Sequence, residues 1–139
     1  RTFYYGHSYT GNALGCAAAL ASLEVFRNER TLDRLPERIG QMRERLEGLR
    51  SRHPQRIGDI RQCGMIAGID IVADAATGAK FPPERRMGHR ICLAARKHGL
   101  LTRPVRDTLV LMPPLCLSED ELAVAVEALD RGIQEETGD

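Results

Sequence analysis

From Thr2 to Leu23 the chain carries no formal charge, although 28% of its residues are charged. The stretch starts as a polar loop bracketed by Gly6 and Gly11 and runs into the small and apolar residues 13–23. A loop of this kind ahead of a helix is the layout of a phosphate site at a helix start. A water-soluble chain exposes so long an uncharged stretch only if another surface covers it. The first residue is Arg1 rather than Met, and the expectation is a piece of a larger protein, cut close to a working site.

The rest of the composition mostly excludes. With 139 residues the chain fits one ordinary domain, able to bury roughly two-thirds of its unfolded surface. A net charge of +1 gives no electrostatic case for nucleic acid, and only 4% of the residues are aromatic, too few for base stacking. Cys16, Cys63, Cys92 and Cys116 lie far apart, without the close Cys or His pairs of a zinc site, so no metal is expected. Each sits among apolar neighbours and reads as a reduced, buried small hydrophobe, which points to the cytoplasm. The longest apolar run, 13–23, is too short for the roughly 20 residues that span a bilayer.

Periodicity predicts helices over 13–27, capped by Asn12 and apolar on every side, and over 32–50, with Thr31 as cap and Pro36 near the first turn. His53-Pro54 ends the second. Residues 57–62 and 65–72 read as strands, the latter burying Met65, Ala67, Ile69 and Ile71 on one face. A helix over 84–98 closes on Gly99; strands over 100–103 and 108–112 flank a turn at Arg106-Asp107. Ser118 and Glu121 form a capping box for a last helix with Leu122, Val126, Leu129 and Ile133 inward. This order makes an α+β domain, a largely antiparallel sheet with helices on one face.

Few residues could carry chemistry. Ser8 can donate to a phosphate oxygen beside backbone amides, or simply be a turn serine bonding its own loop. His7 could be a base, a phosphate neighbour or merely polar. Arg103 precedes Pro104 in an apolar setting, where a guanidinium can grip a carboxylate with two bonds; Arg61 is a weaker candidate of the same kind. Lys80 and Lys97, the two lysines, both read as solvated and unsuited to Schiff-base chemistry. No catalytic triad or paired-carboxylate arrangement assembles.

Three segments resemble class III aminotransferases. They are Gly6-His7-Ser8-Tyr9-Thr10-Gly11-Asn12, an R-x-x-G-x-x-x-G-x-[DE] pattern at Arg61, Gly64, Gly68 and Asp70, and Arg103-Pro104 followed by Leu111-Met112-Pro113-Pro114. The resemblance implies a fold type I enzyme dependent on pyridoxal 5′-phosphate. Residues 1–30 would then be the end of the large cofactor-binding domain with its crossover helix, and 31–139 the small C-terminal α+β domain. It also implies that Ser8 binds the cofactor phosphate across a homodimer interface, with Gly6 and His7 beside it touching cofactor or substrate through their backbone. Arg103 would bind the substrate carboxylate. The last segment is most similar to the branch that moves an amino group from S-adenosylmethionine to 8-amino-7-oxononanoate.

Ala13, where the family often has proline, and Val110, often aromatic in that branch, depart from the pattern. The Schiff-base lysine lies upstream of these segments in the family, so the chain is not expected to transaminate by itself. Two other readings stand beside this one. One is a class III enzyme for ornithine, 4-aminobutyrate or an ω-amino acid, and the other is a non-catalytic α+β binding domain.

Overall fold

The computed structural model describes residues 5–138 and divides into two compact units, Arg1–Arg34 and Leu35–Asp139. In the first unit, α1 (Ala13–Asn28) begins where Asn12 Oδ1 accepts from Gly15 N at 2.8 Å, the expected N-cap. The expectation of a helix buried all round does not hold within this chain, since none of the α1 residues is buried. Leu14, 85% exposed, and Leu20, 63% exposed, stand open on it. The apolar composition signals a surface that favours cover.

The division falls inside α2 (Thr31–Arg52), just ahead of Pro36. Thr31 is the first helical residue rather than the cap, and the Arg30 carbonyl accepts from Asp33 N and Arg34 N. Pro36 lies past the first turn, where its missing N–H leaves the Leu32 carbonyl without its helical partner.

In the second unit, β1 (Ile57–Cys63), β2 (Ile66–Ile71), β3 (Pro104–Val105) and β4 (Thr108–Leu111) form an antiparallel sheet in the order β1-β2-β4-β3. The alternation read in β2 is realised: Met65, Ala67, Ile69 and Ile71 are buried, and Ile66 is exposed. The buried sheet face shares one core with Met42, Leu46 and Leu49 of α2, Met87, Ile91 and Ala95 of α3 (Met87–Lys97), and Leu122, Val126, Leu129 and Ile133 of α4 (Glu119–Thr137). Helices therefore cover one face of the sheet, as an α+β fold requires. The Ser118–Glu121 capping box starts α4 as expected.

Three local expectations are corrected. The helix expected from 84 starts at Met87 instead. Pro83–Arg85 close a 3₁₀ turn, and Arg86 takes a left-handed φ of +46° before α3 begins. Residues 100–103 are not a strand, and β3 is confined to Pro104–Val105. Pro104 offers no N–H to a ladder, and the Thr102 hydroxyl takes the Val110 carbonyl instead, at 2.5 Å. Of the four cysteines only Cys92 is buried, its thiol pushed up to about 11 by burial; Cys16, Cys63 and Cys116 are exposed. Apolar neighbours in sequence did not place those three on inward faces.

Candidate functional site

The loop before α1 has a tight internal order. His7 N donates to Thr10 Oγ1 at 3.0 Å, and the His7 carbonyl accepts from Thr10 N at 3.0 Å. Gly11 turns the chain with φ +75°, and Asn12 Nδ2 donates to the Tyr9 carbonyl at 2.9 Å. Thr10, not Ser8, is thus the residue that ties the loop to itself. Among the described residues the exposed Ser8 hydroxyl makes no hydrogen bond, and neither does Gly6. The first-turn amides of Ala13 and Leu14 are also without partners there, as helix starts leave them. His7 is exposed, its ring edge-on to Tyr5 with centroids 5.9 Å apart. An unpartnered hydroxyl in the loop that leads into a helix start with open amides is a group that an oxyanion can take up.

Arg103 belongs to the second unit. It precedes β3 in irregular backbone rather than ending a strand, and is exposed. It lines a cleft of about 1220 Å³ walled by the loop before α3, the start of α3 and the β3–β4 hairpin. Lys80, Arg86 and Arg106 line the same cleft. Its two carboxylates are occupied: Asp70 by Arg61 and Thr108, and Asp107 Oδ1 by Gly88 N at 2.8 Å. Among the described residues Arg103 has no hydrogen bond or ion pair, so a guanidinium in a cationic cleft is left to accept an anion.

Arg61 does not have that freedom. Its Nη1 and Nη2 donate to the two oxygens of Asp70 at 2.7 and 2.8 Å, and Nη1 also reaches Asp59 at 2.8 Å. The R-x-x-G-x-x-x-G-x-[DE] pattern is a clamp across the β1–β2 hairpin. Gly64 makes the turn with φ +60°, Gly68 faces Arg61 and leaves room for the guanidinium, and Asp70 receives it diagonally. The weaker carboxylate-binding candidate is therefore a structural residue.

Arg61, seconded by Thr108, holds the Asp70 carboxyl below its ordinary value of 3.8. A carboxyl lowered by folding stabilises the fold above its unfolded pKa, and that contribution fades as pH falls through the folded value. Asp70→Asn should accordingly lower the urea midpoint at pH 7. The gap to wild type should begin to narrow below about pH 4 and close as pH falls through the lower, folded value.

The lysines read as solvated are so placed. Lys80 is exposed, and Lys97 is 68% exposed and paired with Glu135 at 3.1 Å. A second groove lies between α2 and α4, but its arginines are spent on ion pairs, Arg45 with Glu119 and Arg52 with Asp130. Among the described residues no cluster of His, Cys, Asp and Glu could hold a metal ion, and no helix is long and apolar enough to cross a membrane. Sequence reasoning missed Thr102, Gly88 and Asp107. Each acts through a contact distant in sequence, with no local pattern to mark it.

Residues 2–133 match the family model described as aminotransferase class-III, so the chain belongs to the class-III aminotransferase family. More particularly, it is similar to proteins named adenosylmethionine-8-amino-7-oxononanoate aminotransferase. The one from Nitratidesulfovibrio vulgaris is 50% identical over 93% of this chain and 23% of its own length. That from Geobacter sulfurreducens is 45% identical over 99% of this chain and 30% of its own. The crystal structure of the Methanocaldococcus jannaschii protein of the same name superposes with a TM-score of 0.88 at 33% identity, covering 97% of this chain and 30% of that one. The chain thus spans between 23% and 30% of the length of these relatives.

Proposed function

We propose that this chain is the C-terminal part of a cytoplasmic, homodimeric aminotransferase dependent on pyridoxal 5′-phosphate. The enzyme transfers the amino group of S-adenosylmethionine to 8-amino-7-oxononanoate in biotin synthesis. Residues 1–30 complete its large domain and 31–139 form its small C-terminal domain. The observation that carries the reading is Arg103, unpartnered in a cationic cleft on the hairpin that runs into Leu111-Met112-Pro113-Pro114. The names of the relatives support the same substrates.

Pyridoxal phosphate, when bound, supplies the carbonyl that takes up and returns the amino group. This chain's share is binding and orientation. Ser8 donates its hydroxyl to the phosphate, and the free amides at the α1 start add to the anion site. Gly6 and His7 flank it. The His7 amide is already bonded to Thr10 Oγ1, so Gly6 is left with open backbone groups. Arg103 grips the carboxylate of donor and acceptor in turn, fixing each against the same reference point. The open apolar surface of α1 suits burial against the large domain and a partner subunit. Free cysteines suit a reducing compartment. The solvated setting of Lys80 and Lys97 suits a cofactor lysine supplied from outside these residues.

Absorbance tests the division of labour. Pyridoxal phosphate added to the 139-residue chain should give no lysine-bound band, and borohydride should fix no pyridoxyl group on Lys80 or Lys97. The full-length enzyme should give both. A pyridoxyl group fixed on either lysine of the isolated chain would overturn the reading. Val110, in a position often aromatic in this branch, keeps an ornithine, 4-aminobutyrate or ω-amino acid transaminase as the second reading. A full-length protein that binds the cofactor yet ignores S-adenosylmethionine would favour it.

A further inference from the structure

Arg103 lies on a segment that the sheet does not hold by its ladder. The α3 cap ends with Leu100 N on the Ala95 carbonyl, and pairing resumes only at Pro104 with Leu109 and Val105 with Thr108. Continuing that register would set Arg103 opposite Val110, yet no backbone bond forms there. Among the described residues, the one hydrogen bond between the segment 101–103 and the sheet comes from a side chain. Thr102 Oγ1 donates to the Val110 carbonyl at 2.5 Å, in a half-buried position. Pro104 restricts Arg103 to extended backbone from one side; the hydroxyl fixes the preceding residue from the other.

We propose that Thr102 is the positioning residue for Arg103. Its hydroxyl replaces a strand ladder and sets the backbone from which the carboxylate-binding guanidinium projects into the cleft. The proposal rests on the reading of Arg103 as that binding residue. A segment without this bond has backbone and side-chain freedom to lose when the carboxylate arrives, and that loss is charged against binding. A carboxylate-dependent loss of affinity is therefore the signature, separate from any general weakening of the fold.

The test compares KM for 8-amino-7-oxononanoate and for its primary amide in the full-length enzyme. Thr102→Val, which keeps the shape and removes the hydroxyl, should raise KM for the acid about five- to tenfold, the worth of one hydrogen bond. The amide KM, kcat for the acid and the cofactor absorbance should stay within about twofold, and Thr102→Ser should restore the wild-type KM. Thr102→Ala serves as a second hydroxyl-free variant should the valine not fold. Equal losses for acid and amide would make Thr102 merely structural and overturn the proposal. If Arg103→Ala raises the acid KM and Thr102→Val leaves it unchanged, the proposal alone falls. If Arg103→Ala leaves it unchanged, the reading of Arg103 falls and the proposal with it.

Discussion

Arg103→Ala in the full-length enzyme should raise KM for a carboxylate substrate by about 100-fold, with much less effect on kcat. A guanidinium gripping a carboxylate makes charge-assisted bonds, together worth about 3 kcal/mol, and 100-fold is about 2.7 kcal/mol. The size of the effect follows from the cleft. Arg103 has no protein partner among the described residues, and the cleft's carboxylates are engaged by Arg61, Thr108 and Gly88. Among the described residues, no carboxylate in its surroundings is free to compete with the ligand. Arg103→Lys should recover part of the loss, since an ammonium keeps the charge and loses the fork. The acid's KM relative to that of its amide is the measurement; a loss shared equally by both would point to a damaged fold instead.

The second large effect should come from Gly88→Ala, at a position that touches no ligand. Gly88 sits in the first turn of α3, with the β3–β4 hairpin directly on it. A Cβ there would stand 2.5 Å from the Arg106 carbonyl oxygen, 2.9 Å from Asp107 Cα and 3.0 Å from Pro104 Cβ. Two of these are backbone atoms, so the clash cannot be relieved by rotating a side chain. The hairpin would have to lift, stretching the Gly88 N to Asp107 Oδ1 bond of 2.8 Å. Overpacking of this kind and one weakened hydrogen bond together cost about 2–4 kcal/mol. Denaturant titration should show that loss. Because Arg103 leads directly into the same hairpin, the acid's KM should rise as well. A Gly88→Ala protein with wild-type stability and KM would mean that the hairpin yields freely.

These two positions differ in how far the sequence disclosed them. Arg103 was visible because its motif, Arg-Pro ahead of an apolar strand, is contiguous. Local signals of the same kind located the Ser118–Glu121 box, the alternation of β2 and the Gly99 helix end. Each depends on residues within one turn or one strand. Gly88 gave no such sign: within Met87-Gly88-His89-Arg90 it reads as an ordinary helix residue, and only the hairpin some nineteen residues on explains it. Arg61 misled for the same reason. Its partner Asp70 lies on the next strand, and a lone arginine looks alike whether paired or open.

The Arg86 break was hidden by helix-favouring neighbours on both sides, and the Thr102 bond by a stretch that reads as strand. At α1 the composition reported that a surface favours cover, and the exposed cysteines show that it does not report which side of an element faces in. Ser8 is the intermediate case. Its loop was legible as an anion site, but only the structure shows that Thr10 takes the internal bond and leaves the serine hydroxyl open.

The most direct test of the account is amino transfer by the full-length enzyme, with S-adenosylmethionine as donor and 8-amino-7-oxononanoate as acceptor, followed by mass spectrometry of the product. With the acceptor held below its wild-type KM, the account predicts a diamine in which the acceptor's ketone has become an amine, formed in the presence of pyridoxal phosphate and reduced sharply by Arg103→Ala. Cofactor binding without that product, or the product formed undiminished by the Arg103→Ala enzyme, would contradict it.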